Sequence, residues 1–132
     1  MFDLGTLKIP DAANLGFKKE QLATTDLSVI SYLIVHPQGT LLWDAGVVLD
    51  SEVGTTAKGA ERAGKRTLSA QLAEIGYSEG DITYLGLSHY HGDHAANANA
   101  FHSSTWIVQG PRGRRCSPIH RYERRPRACT TC

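Results

Sequence analysis

"LSHYHGDHAANANAF", residues 87–101, places His89, His91, Asp93 and His94 within six positions of a 132-residue chain. With His at roughly 2% and Asp at roughly 5% of residues in ordinary compositions, an H-x-H-x-D-H pattern arises by accident with odds below about one in ten thousand. The stretch is therefore read as a cluster of metal ligands and not as a solvated loop. On an extended or looped backbone His89 and His91 project to the same side. Gly92 is expected to let the chain turn, so that Asp93 and His94 face a second point close by. Imidazole and carboxylate donors suit Zn²⁺, with Fe or Mn as alternatives, and a catalytic ion needs about three protein ligands and an open position for water. Split two and two, the four donors leave each of two ions short, so the remaining ligands must come from elsewhere.

Upstream, "LSVISYLIVH" (27–36), "PQG" and "TLLWDAG" (40–46) read as a β-hairpin. Residues 47–66, rich in Gly, Thr and charge, read as an exposed excursion. A helix follows in "RTLSAQLAEIG", with Leu68, Leu72 and Ile75 at i, i+4 and i+7 as its apolar stripe and Gly76 as its stop. Asp81 precedes a strand, "ITYLGLS" (82–88), that runs into the His cluster. "AANANAF" can start a short helix, and "TWIVQ" (105–109) reads as one more strand. Strand, helix, strand in this order predicts an α/β layered fold with the cluster at the carboxyl end of a strand, where ligand sites gather. Trp43 and Trp106 are expected in the core or on a sheet face, His36 in a turn and His102 at the surface. Tyr90 points away from its neighbours and is given no role.

The net charge of +1 conceals two compositions. Residues 1–109 carry seven Lys and Arg against twelve Asp and Glu, a balance of −5, whereas residues 110–132 carry seven Arg against one Glu, a balance of +6. All three cysteines, three of the five prolines and no lysine lie in "GPRGRRCSPIHRYERRPRACTTC", which has neither a strand nor a helix period. Arg, Pro, Gly and Cys are what GC-rich coding DNA yields out of frame, so the reading adopted is one domain at 1–109 and an irregular tail at 110–132 that is out of frame or disordered. Two alternatives stay open. An arginine-rich tail can hold nucleic acid through phosphates, and Cys116, His120, Cys129 and Cys132 can form a small metal knuckle, although the first end lacks a paired C-x₂-C. A disulfide framework is weaker, since three cysteines leave one unpaired. No apolar run is long enough to span a membrane. "MFDLGTLKIPD" lacks the basic and apolar regions of a secretory signal, which makes the cytoplasm the default expectation.

"SHYHGDH" after a strand, with "LLWDAG" before it as a strand-end Asp-x-Gly motif, resembles the metallo-β-lactamase superfamily. "TTDLSV", "YLIVHPQGTLLWDAG" and "LSHYHGDHAANANAF" are most similar to its N-acyl homoserine lactonases. The resemblance covers residues 1–109 and implies the N-terminal half of an αβ/βα sandwich. It implies that His89 and His91 bind a first Zn²⁺, that Asp93 and His94 bind a second, and that Asp44 supports them from the floor of the site. It further implies a quorum-quenching hydrolase in which a metal-bound hydroxide opens a small-molecule lactone or ester while Asp93 orients it and carries its proton. The family's other ligands lie downstream, so this chain is expected to be inactive alone. β-Lactam, thioester and phosphodiester substrates use the same metal core, and the rival reading is a non-catalytic metal-binding or Arg-tail nucleic-acid-binding protein.

The coding DNA around codon 110 tests the tail. A single-base shift there should open a longer frame with an apolar pattern and at least two more His and one Asp. Shifted frames that all stop within a few codons, or that add no His, would make the tail genuine.

Overall fold

The computed structural model describes residues 1–56, 60–62 and 64–108. The readings placed on the tail, including the knuckle of Cys116, His120, Cys129 and Cys132, lie outside the described residues. Five strands form one mixed sheet in sequential order: β1 Phe2–Lys8, β2 Asp26–His36, β3 Gly39–Trp43, β4 Tyr84–Leu87 and β5 Thr105–Val108. The first three are antiparallel neighbours, while β4 runs parallel to both β3 and β5. This is an α/β arrangement of the kind expected, with short helices in the connections to the parallel strands.

The hairpin is formed by β2 and β3, with His36 opposite Gly39 across a two-residue turn. His36 Nδ1 accepts from the Gln38 amide in that turn at 3.2 Å. β1 has no counterpart among the sequence expectations. Its alternation is broken by a bulge between Asp3 and Gly5, which leaves Leu4 and Gly5 buried in succession and hides the two-residue period.

The core lies on one face of the sheet. Leu42 and Leu85, opposite each other in register, are fully buried beneath Leu68 and Leu72 of helix α1, Leu68–Glu74, with Phe2, Leu4, Val29, Ile82 and Phe101 around them. Tyr32, Ile34 and Trp43 are exposed on the strands, and Tyr32 pairs with Trp43 across β2 and β3. The Trp43 ring crosses Gly86, where an added Cβ would stand 2.7 Å from it, so Trp43 is a sheet-face residue. Trp106 is half-buried against the core, its Nε1 donating to the Phe101 carbonyl, and His102 is exposed.

Two expectations need correction. Ile75 does not complete the stripe. The helix closes at Glu74, and Ile75 sits at the C-cap, 52% exposed, before a left-handed Gly76. The buried neighbour is Gln71, whose Nε2 donates to the Asp3 carbonyl. Nor is 47–66 simply an exposed excursion. Val47 is buried, and the Asp50 carboxylate accepts from the amides of Leu68 and Ser69, the first turn of α1. A charged residue read as solvent-facing is thus a helix-terminal acceptor. Ahead of β4, the Ser78 hydroxyl and amide both donate to Asp81, holding its carboxyl below its usual value.

These burials predict a contrast. Leu72→Ala should lower stability by about 2–5 kcal/mol, whereas Ile75→Ala should change it by no more than about 0.5 kcal/mol. Equal losses in urea unfolding would contradict the placement of the helix end.

Candidate metal centre

The site stands where the parallel strands β3 and β4 end side by side. The Asp44 amide donates to the Gly86 carbonyl at 2.8 Å, carrying the ladder one residue past β3. The chain then turns through a left-handed Asp44, φ 63°, the one non-glycine residue with positive φ among those described. Asp tolerates this region better than most side chains. Buried Ser31 on β2 braces the turn by donating from Oγ to the Asp44 carbonyl at 2.7 Å.

This turn delivers the Asp44 carboxylate to the start of the loop after β4. Oδ1 accepts from the Ser88 amide at 2.8 Å. Oδ2 accepts from the Ser88 hydroxyl at 2.9 Å and lies 2.8 Å from His94 Nδ1. With Nδ1 donating to Asp44, the other ring nitrogen, Nε2, faces Asp93 Oδ2 at 3.3 Å. The backbone is tied as well: Ala45 donates to the His94 carbonyl at 2.7 Å, and the Asn97 amide to the Ala45 carbonyl at 2.9 Å.

Helix α2, Gly92–Ala95, is one turn long with His91 as its N-cap. It turns Asp93 and His94 back toward the histidines that precede it. Gly92 does not serve as the special turn anticipated: its φ is not positive, and a Cβ there would meet nothing within 4 Å. Entry into the helix makes the turn instead.

The rings of His89 and His91 lie 4.7 Å apart and those of His89 and His94 4.1 Å apart. One ligand atom each from His89, His91 and Asp93 falls within 4.8 Å of the others. Asp93 therefore stands between the two pairs that the sequence separates, close to the first group and 3.3 Å from His94. Two nitrogens and a carboxylate oxygen converging on one point, with both histidines open to solvent, form a donor set that fits a divalent ion with room for water. Tyr90 is 81% exposed, its ring edge-on to His91.

Sequence reasoning passed over Ser88 and Asn97. Ser88 ends the strand and opens the SHYHGDH stretch, but its residue type alone gives it no partner. Asn97 Oδ1 accepts from the Asp50 amide and its Nδ2 donates to the Val48 carbonyl, so it ties the excursion to the site. No local sequence signal announces that contact, because its partners lie some fifty positions away.

The model of the metallo-beta-lactamase superfamily matches residues 24–126, a span that crosses the compositional break near Gly110. No match was found among curated proteins. Among solved structures, an N-acyl homoserine lactone hydrolase with the product N-hexanoyl-L-homoserine at its catalytic metal center is 32% identical, with a TM-score of 0.50 over 64% of this chain and 37% of its own. A quorum-quenching N-acyl homoserine lactone lactonase is 27% identical, with a TM-score of 0.60 over 82% of this chain and 43% of its own. A probable metal-dependent hydrolase from Staphylococcus aureus, 21% identical with a TM-score of 0.57 over 81% and 44%, shares the fold. The chain thus spans about two fifths of the length of these structures. With the matched family model covering most of its residues, the chain belongs to the metallo-beta-lactamase superfamily.

Proposed function

We propose that this chain carries half of the metal centre of a hydrolase that opens a lactone of the acyl homoserine type. The observation that carries the reading is the grouping of His89, His91 and Asp93, with His94 3.3 Å from Asp93, beyond the ends of two parallel strands. His89 and His91 would hold one ion, and His94 a second together with Asp93, whose carboxylate lies within reach of both groups, while Asp44 fixes His94. Zinc bound there would supply Lewis acidity, making water nucleophilic near neutral pH and polarising a carbonyl. The chain's own residues do the rest. Asp44 orients the His94 ring through Nδ1, as carboxylates behind metal-binding histidines commonly do. The Asp93 carboxylate, partly exposed beside His94 Nε2, takes the proton from the attacking water and passes it to the alkoxide released when the ring C–O bond breaks. Water and lactone give one hydroxy acid. The lactone class is supported by likeness to the two lactone hydrolases, and the missing ligands and pocket walls would come from sequence outside the described residues.

Zinc retained after dialysis tests the ligand set. The 132-residue chain should hold Zn²⁺ weakly, and His91→Ala and His94→Ala should each reduce it. Unchanged retention in both variants would overturn the assignment.

The activity is tested, on the proposal that the tail is out of frame, with a product whose frame is shifted by one base near codon 110. It should open N-hexanoyl homoserine lactone in a chelator-sensitive way, and Asp93→Ala should lower the rate by about 10²-fold or more. The 132-residue chain alone should show none. Turnover of a β-lactam, thioester or phosphodiester with the lactone untouched would refute the substrate.

A further inference from the structure

Ser88 touches Asp44, His89 and His94 at once, and the number of its protons decides what it does there. Its amide and its hydroxyl approach the two oxygens of the Asp44 carboxylate at 2.8 and 2.9 Å. The same Oγ lies 3.1 Å from His89 Nδ1 and 3.1 Å from His94 Nδ1. A serine hydroxyl has one hydrogen to give and two lone pairs to offer. A carboxylate is the strongest acceptor within reach, and hydrogen bonds to a charged acceptor are roughly twice as strong as neutral ones. The hydroxyl hydrogen therefore goes to Asp44 Oδ2, and toward both rings Oγ can only accept. His94 Nδ1 has a better acceptor than Oγ, the same Asp44 Oδ2 at 2.8 Å. No other acceptor for His89 Nδ1 is found among the described residues, which leaves it to donate to Ser88.

We propose that Ser88 is a positioning residue of the metal centre, whose hydroxyl, oriented by Asp44, holds His89 in the Nδ1–H form and turns its Nε2 lone pair toward the metal. The proposal rests on the reading of His89 as a metal ligand and adds to it the group that decides which nitrogen binds. His89 needs such a group. It is exposed, and a free imidazole at the surface interconverts between tautomers and ring flips, of which only one combination presents Nε2 to the ion. Asp44 thereby directs two histidines, His94 by direct contact and His89 through one serine. The direction of donation is uniform, from His89 to Ser88 and from Ser88 to Asp44, and the reversed arrangement would place the proton on His89 Nε2, where a ligand must be bare.

Two measurements on the 132-residue chain decide this, with far-UV circular dichroism to confirm folding of each variant. The first is the tautomer of His89 in the metal-free protein, read from imidazole ¹⁵N shifts. Wild type should show protonated Nδ1 and bare Nε2, Ser88→Ala should show a mixture, and Ser88→Thr, which keeps the hydroxyl, should restore the wild-type pattern. The second is Zn²⁺ affinity by chelator competition, expected to fall about 10- to 100-fold in Ser88→Ala and to recover in Ser88→Thr. Protonated Nε2 in wild type, an unchanged tautomer and affinity in Ser88→Ala, or no recovery in Ser88→Thr would each overturn the proposal. Zinc affinity that His89→Ala leaves unaltered would instead remove the ligand reading, and the role proposed for Ser88 with it, even if the tautomer were as expected.

Discussion

A single buried carboxylate joins the two halves of the site. Asp44 is 5% exposed, and burying a carboxylate costs several kcal/mol unless its oxygens are met by donors. Here each is met, by the Ser88 amide, the Ser88 hydroxyl and His94 Nδ1. Its backbone is engaged as fully, with the amide on Gly86 and the carbonyl on Ser31. The carboxylate can satisfy itself only if the end of β4 lies beside the end of β3 and α2 folds back over both. The requirement of one side chain therefore fixes the loop that carries the four candidate ligands.

The rest of the fold makes that meeting possible. Parallel pairing of β3 and β4 puts both carboxyl ends at the same edge, and the long connection between them has to return across the sheet. It does so through α1, with Asp50 on the helix's first turn and Leu68 and Leu72 on the core. Asn97 then joins this connection to the segment after α2. Gly46 is placed by the same contact: with φ 102° and an added Cβ only 2.7 Å from Asn97 Nδ2, the position excludes other side chains. The Asp-x-Gly at the end of β3 thus has two separate physical purposes, an acidic acceptor and a close backbone approach.

Much of this was legible in the chain itself. Dense spacing of His89, His91, Asp93 and His94 marked the donor cluster, and turn residues between two apolar runs marked the hairpin, because both signals are local. Long-range satisfaction was harder to read. Neither Ser88, where the strand meets the motif, nor Asp50, in a charged stretch, announces its role locally, since each acts on a partner between eighteen and forty-four positions away. The bulge at Leu4 concealed β1 by breaking the alternation on which strand reading depends, and Ile75 kept the helical period although the helix had already closed. Periodicity describes an element's interior and says little about where hydrogen bonding at its end takes over.

Asp44→Asn tests the central claim most directly. Asn keeps the side-chain shape and accepts the left-handed backbone as readily as Asp, so the turn should survive while the charge is lost and one of the two oxygens becomes a donor. If the carboxylate orients the centre, zinc affinity of the 132-residue chain, measured by chelator competition, should fall about 10- to 100-fold with the fold retained. Wild-type zinc affinity in a folded Asp44→Asn chain would contradict the account and leave Asp44 as no more than a strand-end turn.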